Sequence, residues 1–135
     1  MFKYLEKNKT TLVFSTLVVY WIILFVGTSI PAQSVPSLGI GGDKVAHFFA
    51  YLILSVLLYL TFIFQEKLSF TQRNAILLTL AVAICYGVLD ELHQMLVPGR
   101  SAELLDWIAD AIGATCGVLI TSFLLKKFKK EAETD

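Results

Sequence analysis

Charged residues are scarce in this chain. Of its 135 residues, 16% are Asp, Glu, Lys or Arg, whereas 56% are hydrophobic, and the mean hydropathy is +0.71. A soluble domain of this length would carry a charged surface around its core, so the composition indicates a membrane protein. Eleven basic and eleven acidic residues cancel, which removes the basic surface that nucleic-acid binding requires, and we predict no nucleic-acid partner.

Cysteine and the common catalytic motifs are also scarce. The two cysteines, Cys85 and Cys116, lie near the middle of apolar segments, so we expect free thiols rather than a disulfide or a redox pair. The sequence has no G-x-S-x-G, no phosphate-binding glycine loop and no H-x-x-x-H or H-E-x-x-H. Covalent catalysis is therefore unsupported, no spacing dictates a metal site, and we predict no cofactor.

Long apolar runs fill most of the chain. Four segments, near 11–27, 45–64, 75–96 and 104–125, approach or exceed the roughly 20 residues that a helix needs to cross a bilayer. We predict a single all-α membrane domain, an integral bundle of four transmembrane helices. The first segment follows a basic stretch as in a signal peptide, but its length and the poor cleavage site at 31–34 favour an uncleaved helix.

Basic residues are unevenly distributed between alternate loops. Nine lie before the first segment, between the second and third, or in the tail, whereas the other two loops contain only Lys44 and Arg100. The positive-inside rule therefore predicts a multi-pass protein of the cell membrane with both termini in the cytoplasm. Membrane lipid is the expected partner of its surface, and the sequence gives no oligomeric state.

The connecting segments differ in their turn signals. The loop Thr28–Gly42 is rich in proline and glycine and is predicted to be irregular, whereas 65–73 reads as a short polar connection. Pro98–Gly99 predicts a tight hairpin over Val97–Glu103, with Ser101 as the N-cap of the last helix.

Polar residues inside the apolar segments gather towards one end of the predicted bundle. An ionisable group at the bilayer centre costs at least ~2.5–3.5 kcal/mol, so such groups indicate a functional site. Helical periodicity places them on shared faces. These faces carry Asp43 with His47 on the second helix, Asp90, His93 and Gln94 with Glu91 at the edge on the third, and Asp106 with Asp110 on the fourth.

The short hairpin makes the third and fourth helices antiparallel neighbours. Asp90 and Asp110 are equally far from Arg100 along the chain, so both are predicted at one depth, roughly 12 Å below the outer surface. Three helices would thus surround a polar pocket that opens outward. Beneath it, Gly113 and Gly117 form a small-xxx-small pattern that lets a neighbouring helix approach closely.

Four motifs occur in order along the chain. They are D-K-x-x-H-F-x-x-Y from Asp43, D-E-x-H-Q from Asp90, P-G-R from Pro98 and D-x-x-x-D-x-x-G-x-x-x-G from Asp106. Together they resemble the VanZ-like family, small membrane proteins named for a component linked to teicoplanin resistance in Gram-positive bacteria. The resemblance covers nearly all of the chain after the first helix, and it implies an association with glycopeptide resistance without supplying a mechanism. The signature positions it implies are Asp43, Lys44, His47, Glu91, Gln94, Arg100 and Asp106, with Asp110 as a further carry-over.

Three neighbouring residues are the candidates for catalysis. Asp90 and Glu91 cannot both ionise cheaply in a low-dielectric pocket, so they could divide into an acid and a base, with His93 beside them. A buried ion-pair network with Lys44 and Arg100, which only locks the helices together, is an equal alternative.

Substrate binding is assigned to the other polar residues of the pocket. Arg100 could clamp a phosphate or carboxylate, lie among lipid headgroups or pair with Asp106. His47 and His93 could ligate a divalent metal with nearby carboxylates, but hydrogen-bonded histidines are favoured. The predicted substrate-binding set is Asp43, Lys44, His47, Gln94, Arg100, Asp106 and Asp110.

Two functions follow from these residues. The first is an envelope membrane protein whose outward pocket binds or modifies a cell-envelope component, with a cell-wall precursor, a lipid headgroup or a glycopeptide drug as ligand. The alternative is a small intramembrane acid–base enzyme acting on a lipid-linked anionic substrate. A transporter or flippase subunit is less favoured, because four helices are few for transport.

Overall fold

The chain folds into helices connected by short turns. A computed structural model describes residues 2–34, 39, 41–65 and 67–133, with side chains from residue 8 onward. Within these residues the fold is all-α and contains no strand, as predicted. This part of the chain forms five helices, namely α1 (Phe2–Thr28), α2 (Gly42–Phe64), α3 (Ser69–Arg73), α4 (Ala75–Gln94) and α5 (Leu104–Ala132), with a 3-10 turn at Ala32–Ser34.

Among the described residues, four helices are long and apolar enough to cross a membrane, which confirms the predicted multi-pass architecture. The spans are Asn8–Thr28, Gly42–Phe64, Ala75–Gln94 and Leu104–Ala132, with mean hydropathies of 1.8 to 2.1. α5 runs past its predicted end at 125 because the basic tail stays helical, and Lys127 and Lys129 each lie 3.9 Å from a glutamate one turn on. The cytoplasmic location of both termini stays a prediction.

The connection between α4 and α5 is the predicted tight hairpin. The backbone N–H of Arg100 donates to the carbonyl oxygen of Val97 at 3.1 Å, and Gly99 between them has φ +77°, as the third position of a type II turn requires. The predicted N-cap was wrong, because α5 begins at Leu104, two residues after the position that Ser101 would cap. Glu103 occupies the cap position without a side-chain cap bond of its own.

The other two connections contain more helical structure than predicted. The polar segment 65–73 includes the short helix α3. The proline- and glycine-rich loop is described at residues 29–34, 39 and 41, where it holds the 3-10 turn, and the rest of that predicted irregular loop lies outside the described residues. Ala32 of this turn donates its backbone N–H to Pro98 at 3.3 Å, so the loop packs on the hairpin.

α2 is the central helix and packs against α1, α4 and α5. α1 is peripheral, since 6% of its apolar span is buried against 28% to 39% for the other three spans. Its exposed apolar face suits contact with lipid chains. The main core consists of Leu17, Tyr51, Leu54, Leu58, Ala83 and Ala114.

α5 approaches α2 most closely at two glycines. A Cβ atom on Gly113 would overlap the backbone carbonyl of Phe48. A Cβ atom on Gly117 would overlap the carbonyl of Leu52 and the hydroxyl of Ser55. Small residues permit this kind of backbone approach between membrane helices. The predicted small-xxx-small contact is thus confirmed, with α2 as the neighbouring helix.

Substituting Gly113 with alanine is expected to separate α2 from α5. Because the obstructing atoms of Phe48 are backbone atoms, the helices must shift, and Gly113→Ala should lower the free energy of unfolding by at least about 1–3 kcal/mol. Gly27→Ala is the control, since a Cβ on Gly27 meets nothing within 4 Å and should change stability by less than about 0.5 kcal/mol. Unfolding of both variants in mixed detergent and SDS micelles measures the difference. Equal stabilities would contradict the tight contact.

Candidate functional site

A cavity of about 680 Å³ lies at the end of the bundle where α1 and α4 end and α2 and α5 begin, here called the polar end. Its apolar lining comes from α1 and α2, with Ile23, Leu24, Ala46, Ala50 and Tyr51. Its polar lining consists of Asp43, His47, Asp90, Gln94, Arg100, Glu103 and Asp106. An apolar wall with a few converging polar groups is typical of a small-molecule site.

Lys44 joins the start of α2 to the start of α5. Its Nζ lies 2.8 Å from a carboxylate oxygen of Asp43, 2.8 Å from Glu103 and 3.0 Å from Asp106. The Lys44 side chain is 29% exposed, and that of Asp106 is 8% exposed. The predicted network of Lys44 with Asp90 and Glu91 is therefore replaced by one with three other carboxylates.

His47 and Asp110 form the second contact between α2 and α5. Nδ1 of His47 lies 2.9 Å from Oδ1 of Asp110, and the Asp110 side chain is fully buried. Oδ2 of Asp110 has no hydrogen-bond partner among the described residues and packs against Gly87 of α4. Asp110 therefore sits within one helical turn of the depth of Asp90, close to the prediction from chain distance.

Glu91 holds the start of α5 against the end of α4. Its Oε2 accepts the backbone N–H of Glu103 at 2.7 Å, so a side chain from another helix satisfies a backbone donor that the predicted Ser101 cap does not. The other carboxylate oxygen, Oε1, is buried and has no partner among the described residues. Glu91 was predicted at the edge of its helix face, and it is buried there, with 7% of its surface exposed.

Arg100 ties the hairpin to α1 and α4. Nε donates to the carbonyl oxygen of Ile30 at 2.9 Å, and Nη1 donates to Oε1 of Gln94 at 3.2 Å. Gln94 in turn donates from Nε2 to Oδ2 of Asp90 at 3.3 Å. Within the described part of the chain, no carboxylate lies at ion-pair distance from Arg100. Its predicted pairing with Asp106 is not found, and its guanidinium lines the cavity.

His93 points towards α1, away from the cavity lining. Its Nε2 lies 2.9 Å from the hydroxyl of Ser29, and its ring centroid lies 4.8 Å from that of Phe25. The predicted shared face of Asp90, His93 and Gln94 is therefore divided, because Asp90 and Gln94 line the cavity and His93 packs beside it. The catalytic roles of Asp90, Glu91 and His93 stay predictions.

The structure adds Glu103 to the residues found from the sequence. Glu103 lines the cavity, pairs with Lys44 and donates its backbone N–H to Glu91. It precedes Asp106 by three residues and so continues the acidic stripe of α5, a spacing that could have indicated it. Tyr51 also lines the cavity, and its buried hydroxyl has no partner among the described residues.

The polar end holds more negative than positive groups. Six carboxylates surround two permanent cations, the acidic residues being Asp43, Asp90, Glu91, Glu103, Asp106 and Asp110. Lys44 satisfies three of them and Arg100 pairs with none in the described residues. The site is thus equipped for polar and electrostatic recognition and for proton transfer.

Cys85 and Cys116 are free thiols, as predicted.

Replacing Arg100 with lysine is expected to loosen the hairpin, because an ammonium cannot reach Ile30 and Gln94 together. Arg100→Lys should lower the free energy of unfolding by about 1–2 kcal/mol. Arg73→Lys is the matched control, since among the described residues Arg73 bonds only to Ser69 of its own helix α3, and the change should alter stability by less than about 0.5 kcal/mol. Unfolding in mixed micelles compares the two. Equal losses would mean that Arg100 does not secure the hairpin.

Comparison with known proteins finds a curated relative in a yeast. The chain is similar to "Uncharacterized protein C11E3.10" of Schizosaccharomyces pombe, with 30% identity over 98 residues. The aligned region covers 72% of this chain and 54% of that protein, so the chain spans about half the length of this curated relative. No solved structure matches the chain.

The family suggested by the four motifs is confirmed by a family model. The model described as VanZ/LLP1 matches residues 3–125, which include every polar residue of the cavity, the first three apolar spans and most of the fourth. The chain belongs to the VanZ/LLP1 family.

Proposed function

We propose that this VanZ/LLP1 membrane protein binds a lipid-linked anionic component of the bacterial cell envelope in its polar-end cavity. Through this binding it would protect a cell against glycopeptide antibiotics such as teicoplanin. The observation that carries the proposal is the cavity itself, in which the apolar residues of α1 and α2 face a polar lining that includes Arg100.

An amphiphile fits both parts of this lining. Ile23 and Leu24 of α1 offer an apolar surface for a hydrocarbon chain, as in other ligand sites that combine apolar walls with few polar groups. The guanidinium of Arg100, which has no carboxylate partner in the described residues, can bind a phosphate or carboxylate of the headgroup. The aspartates and glutamates opposite it can accept hydrogen bonds from headgroup hydroxyls or amines.

An acid–base enzyme acting on such a ligand is the second candidate. Glu91 favours it, because its Oε1 is buried without a partner among the described residues and one of its carboxylate oxygens lies within 4.8 Å of His47 and Asp106. An unpaired carboxylate oxygen next to an imidazole can accept or deliver a proton. Glu91 itself is outside the cavity lining, so a substrate proton would reach it through His47 or Asp106, both of which line the cavity.

The proposal requires the polar end to face outward. The bias of basic residues predicts that both termini are cytoplasmic, so green fluorescent protein fused after residue 135 should fluoresce in a bacterial host, and alkaline phosphatase at the same position should stay inactive. The same two reporters fused after Arg100 serve as the control and should behave in the opposite way. An active phosphatase at the C-terminus would place the polar end in the cytoplasm and exclude direct contact with an external drug.

Teicoplanin susceptibility tests the role of the site. A Gram-positive host expressing the chain should survive a higher teicoplanin concentration than the empty host, and Arg100→Gln should remove at least about three-quarters of the gain by removing the anion contact. Glu133→Gln, a surface change in the tail, is the control at matched membrane abundance and should keep full protection. No protection by the wild-type chain would contradict the resistance role.

The same strains separate binding from catalysis. If the chain is an enzyme, the wild-type strain should contain a new envelope lipid product, detected by mass spectrometry of extracted lipids. Glu91→Gln should then lose both this product and the protection. If it acts by binding, Glu91→Gln should keep protection and no product should accumulate in the wild-type strain.

A further inference from the structure

Three polar side chains from three helices meet behind the cavity. One ligand atom each of His47 in α2, Glu91 in α4 and Asp106 in α5 lies within 4.8 Å of the other two. Glu91 is 7% exposed and Asp106 is 6% exposed, and the His47 side chain is 11% exposed. An imidazole and two carboxylates are common ligands of divalent transition metals.

An unsatisfied carboxylate oxygen of Glu91 points to a missing partner. Oε2 of Glu91 accepts the backbone N–H of Glu103, but Oε1 has no hydrogen-bond partner among the described residues. Buried polar atoms nearly always have a partner, which is a protein group, an ordered water or an ion. The unpaired oxygen belongs to a side chain more than nine-tenths buried and is therefore a second observation beyond the grouping itself.

Asp110 orients His47 as a carboxylate orients a metal-binding histidine. Its Oδ1 lies 2.9 Å from Nδ1 of His47, and its side chain is fully buried. A histidine that donates Nδ1–H to a carboxylate carries its lone pair on Nε2, the nitrogen left for a metal. Metal-ligating histidines almost always have such a partner.

The excess of negative charge at the polar end also favours the binding of a cation. Lys44 pairs with Asp43, Glu103 and one oxygen of Asp106, and the buried Asp90 and Glu91 have no lysine or arginine at ion-pair distance within the described residues. Buried carboxylates need protonation, an ion pair or a bound metal to offset their loss of hydration.

We propose that His47, Glu91 and Asp106 bind a divalent transition-metal ion such as Mn²⁺ or Zn²⁺, with Asp110 as the positioning residue of His47. Ligands of a four-coordinate ion at about 2.0–2.2 Å lie about 3.5 Å apart, so small side-chain rotations close the site around the ion. Three protein ligands leave at least one coordination position open, and His47 and Asp106 line the cavity from which a water or a ligand oxygen can enter. The proposal does not depend on the function proposed above.

A second cluster of carboxylates at the polar end shares Asp106 with this site but does not compete with it for a metal ion. Carboxylate oxygens of Asp43, Glu103 and Asp106 also lie within 4.8 Å of one another. Nζ of Lys44 already contacts all three at 2.8 to 3.0 Å, so an ammonium occupies the place of the cation.

Metal titration of the purified full-length chain tests the site. After removal of metal with EDTA, isothermal titration with MnCl₂ or ZnCl₂ in detergent micelles should give one site per chain, whereas CaCl₂ should bind more weakly because calcium prefers six to eight oxygen ligands. His47→Gln and Glu91→Gln should each weaken binding at least about 100-fold, and Asp110→Asn about 10- to 100-fold.

Matched controls separate this site from its neighbours. His93→Gln removes an imidazole on the α1 side, and Glu103→Gln removes a carboxylate from the Lys44 cluster, and both should keep the affinity within about threefold. Loss of binding in Glu103→Gln but not in His47→Gln would move the ion to the Lys44 cluster and overturn the proposal. So would the absence of a saturable site in the wild-type chain.

A measurement on the unmodified protein covers the case in which a variant fails to fold. Electron spin-echo spectroscopy of the Mn²⁺-loaded wild-type chain should show coupling to an imidazole nitrogen, and the coupling should persist in His93→Gln. Bound Mn²⁺ without nitrogen coupling, or coupling that disappears in His93→Gln, would overturn the assignment of His47 as a ligand.

Discussion

The close approach of α2 and α5 determines where every polar group of the site lies. At Gly113 and Gly117 no side chain separates α5 from the carbonyl groups of α2, so the two helix backbones are in contact. One and two turns nearer the polar end, this proximity brings His47 to Asp110 and Lys44 to Asp106. A wider separation would leave two carboxylates in the membrane without their partners, which is a large penalty at low dielectric.

The buried carboxylates connect the remaining elements to this helix pair. Glu91 reaches from α4 to the first turn of α5, and Arg100 reaches from the hairpin to the end of α1. The Glu91 contact joins two helices, and the Arg100 contact joins the hairpin to the residues that follow α1, so the polar end is a set of cross-links and also the lining of a cavity. Asp90, Glu91 and Asp110 are buried in this arrangement without a lysine or arginine at ion-pair distance among the described residues.

The sequence predicted the spans, the polar end and the hairpin from physical regularities. Apolar length fixed the four spans, and Pro98–Gly99 fixed the turn. Helical periodicity also placed Asp106 and Asp110 on one stripe with Gly113 and Gly117, and the structure places all four among the buried residues of α5. These features depend on residues that are close together along the chain, so they can be predicted directly from the sequence.

The sequence could not predict which helices and side chains contact one another, because these contacts depend on how the helices pack. The sequence predicted a close neighbour for the glycine stripe without identifying the helix, and the packing makes that helix α2. Positions 93 and 94 are adjacent, and only the position of α1 decides that His93 meets Ser29 while Gln94 lines the cavity. Likewise the sequence offered Asp90 and Glu91 as partners of Lys44, and the packing of α5 places Glu103 and Asp106 there instead.

The peripheral position of α1 gives the surrounding bilayer a share in shaping the cavity. α1 contributes one wall, through Ile23 and Leu24, yet little of its apolar span is buried against protein. Its hydrogen bonds to the rest of the bundle include Tyr20 to Ala50 at 2.9 Å, and many of its large apolar side chains are exposed on the surface of the bundle. The tilt of such a helix follows the hydrophobic thickness of the membrane. We therefore expect bilayer thickness and lateral pressure, which are properties of the membrane, to change the width of the cavity.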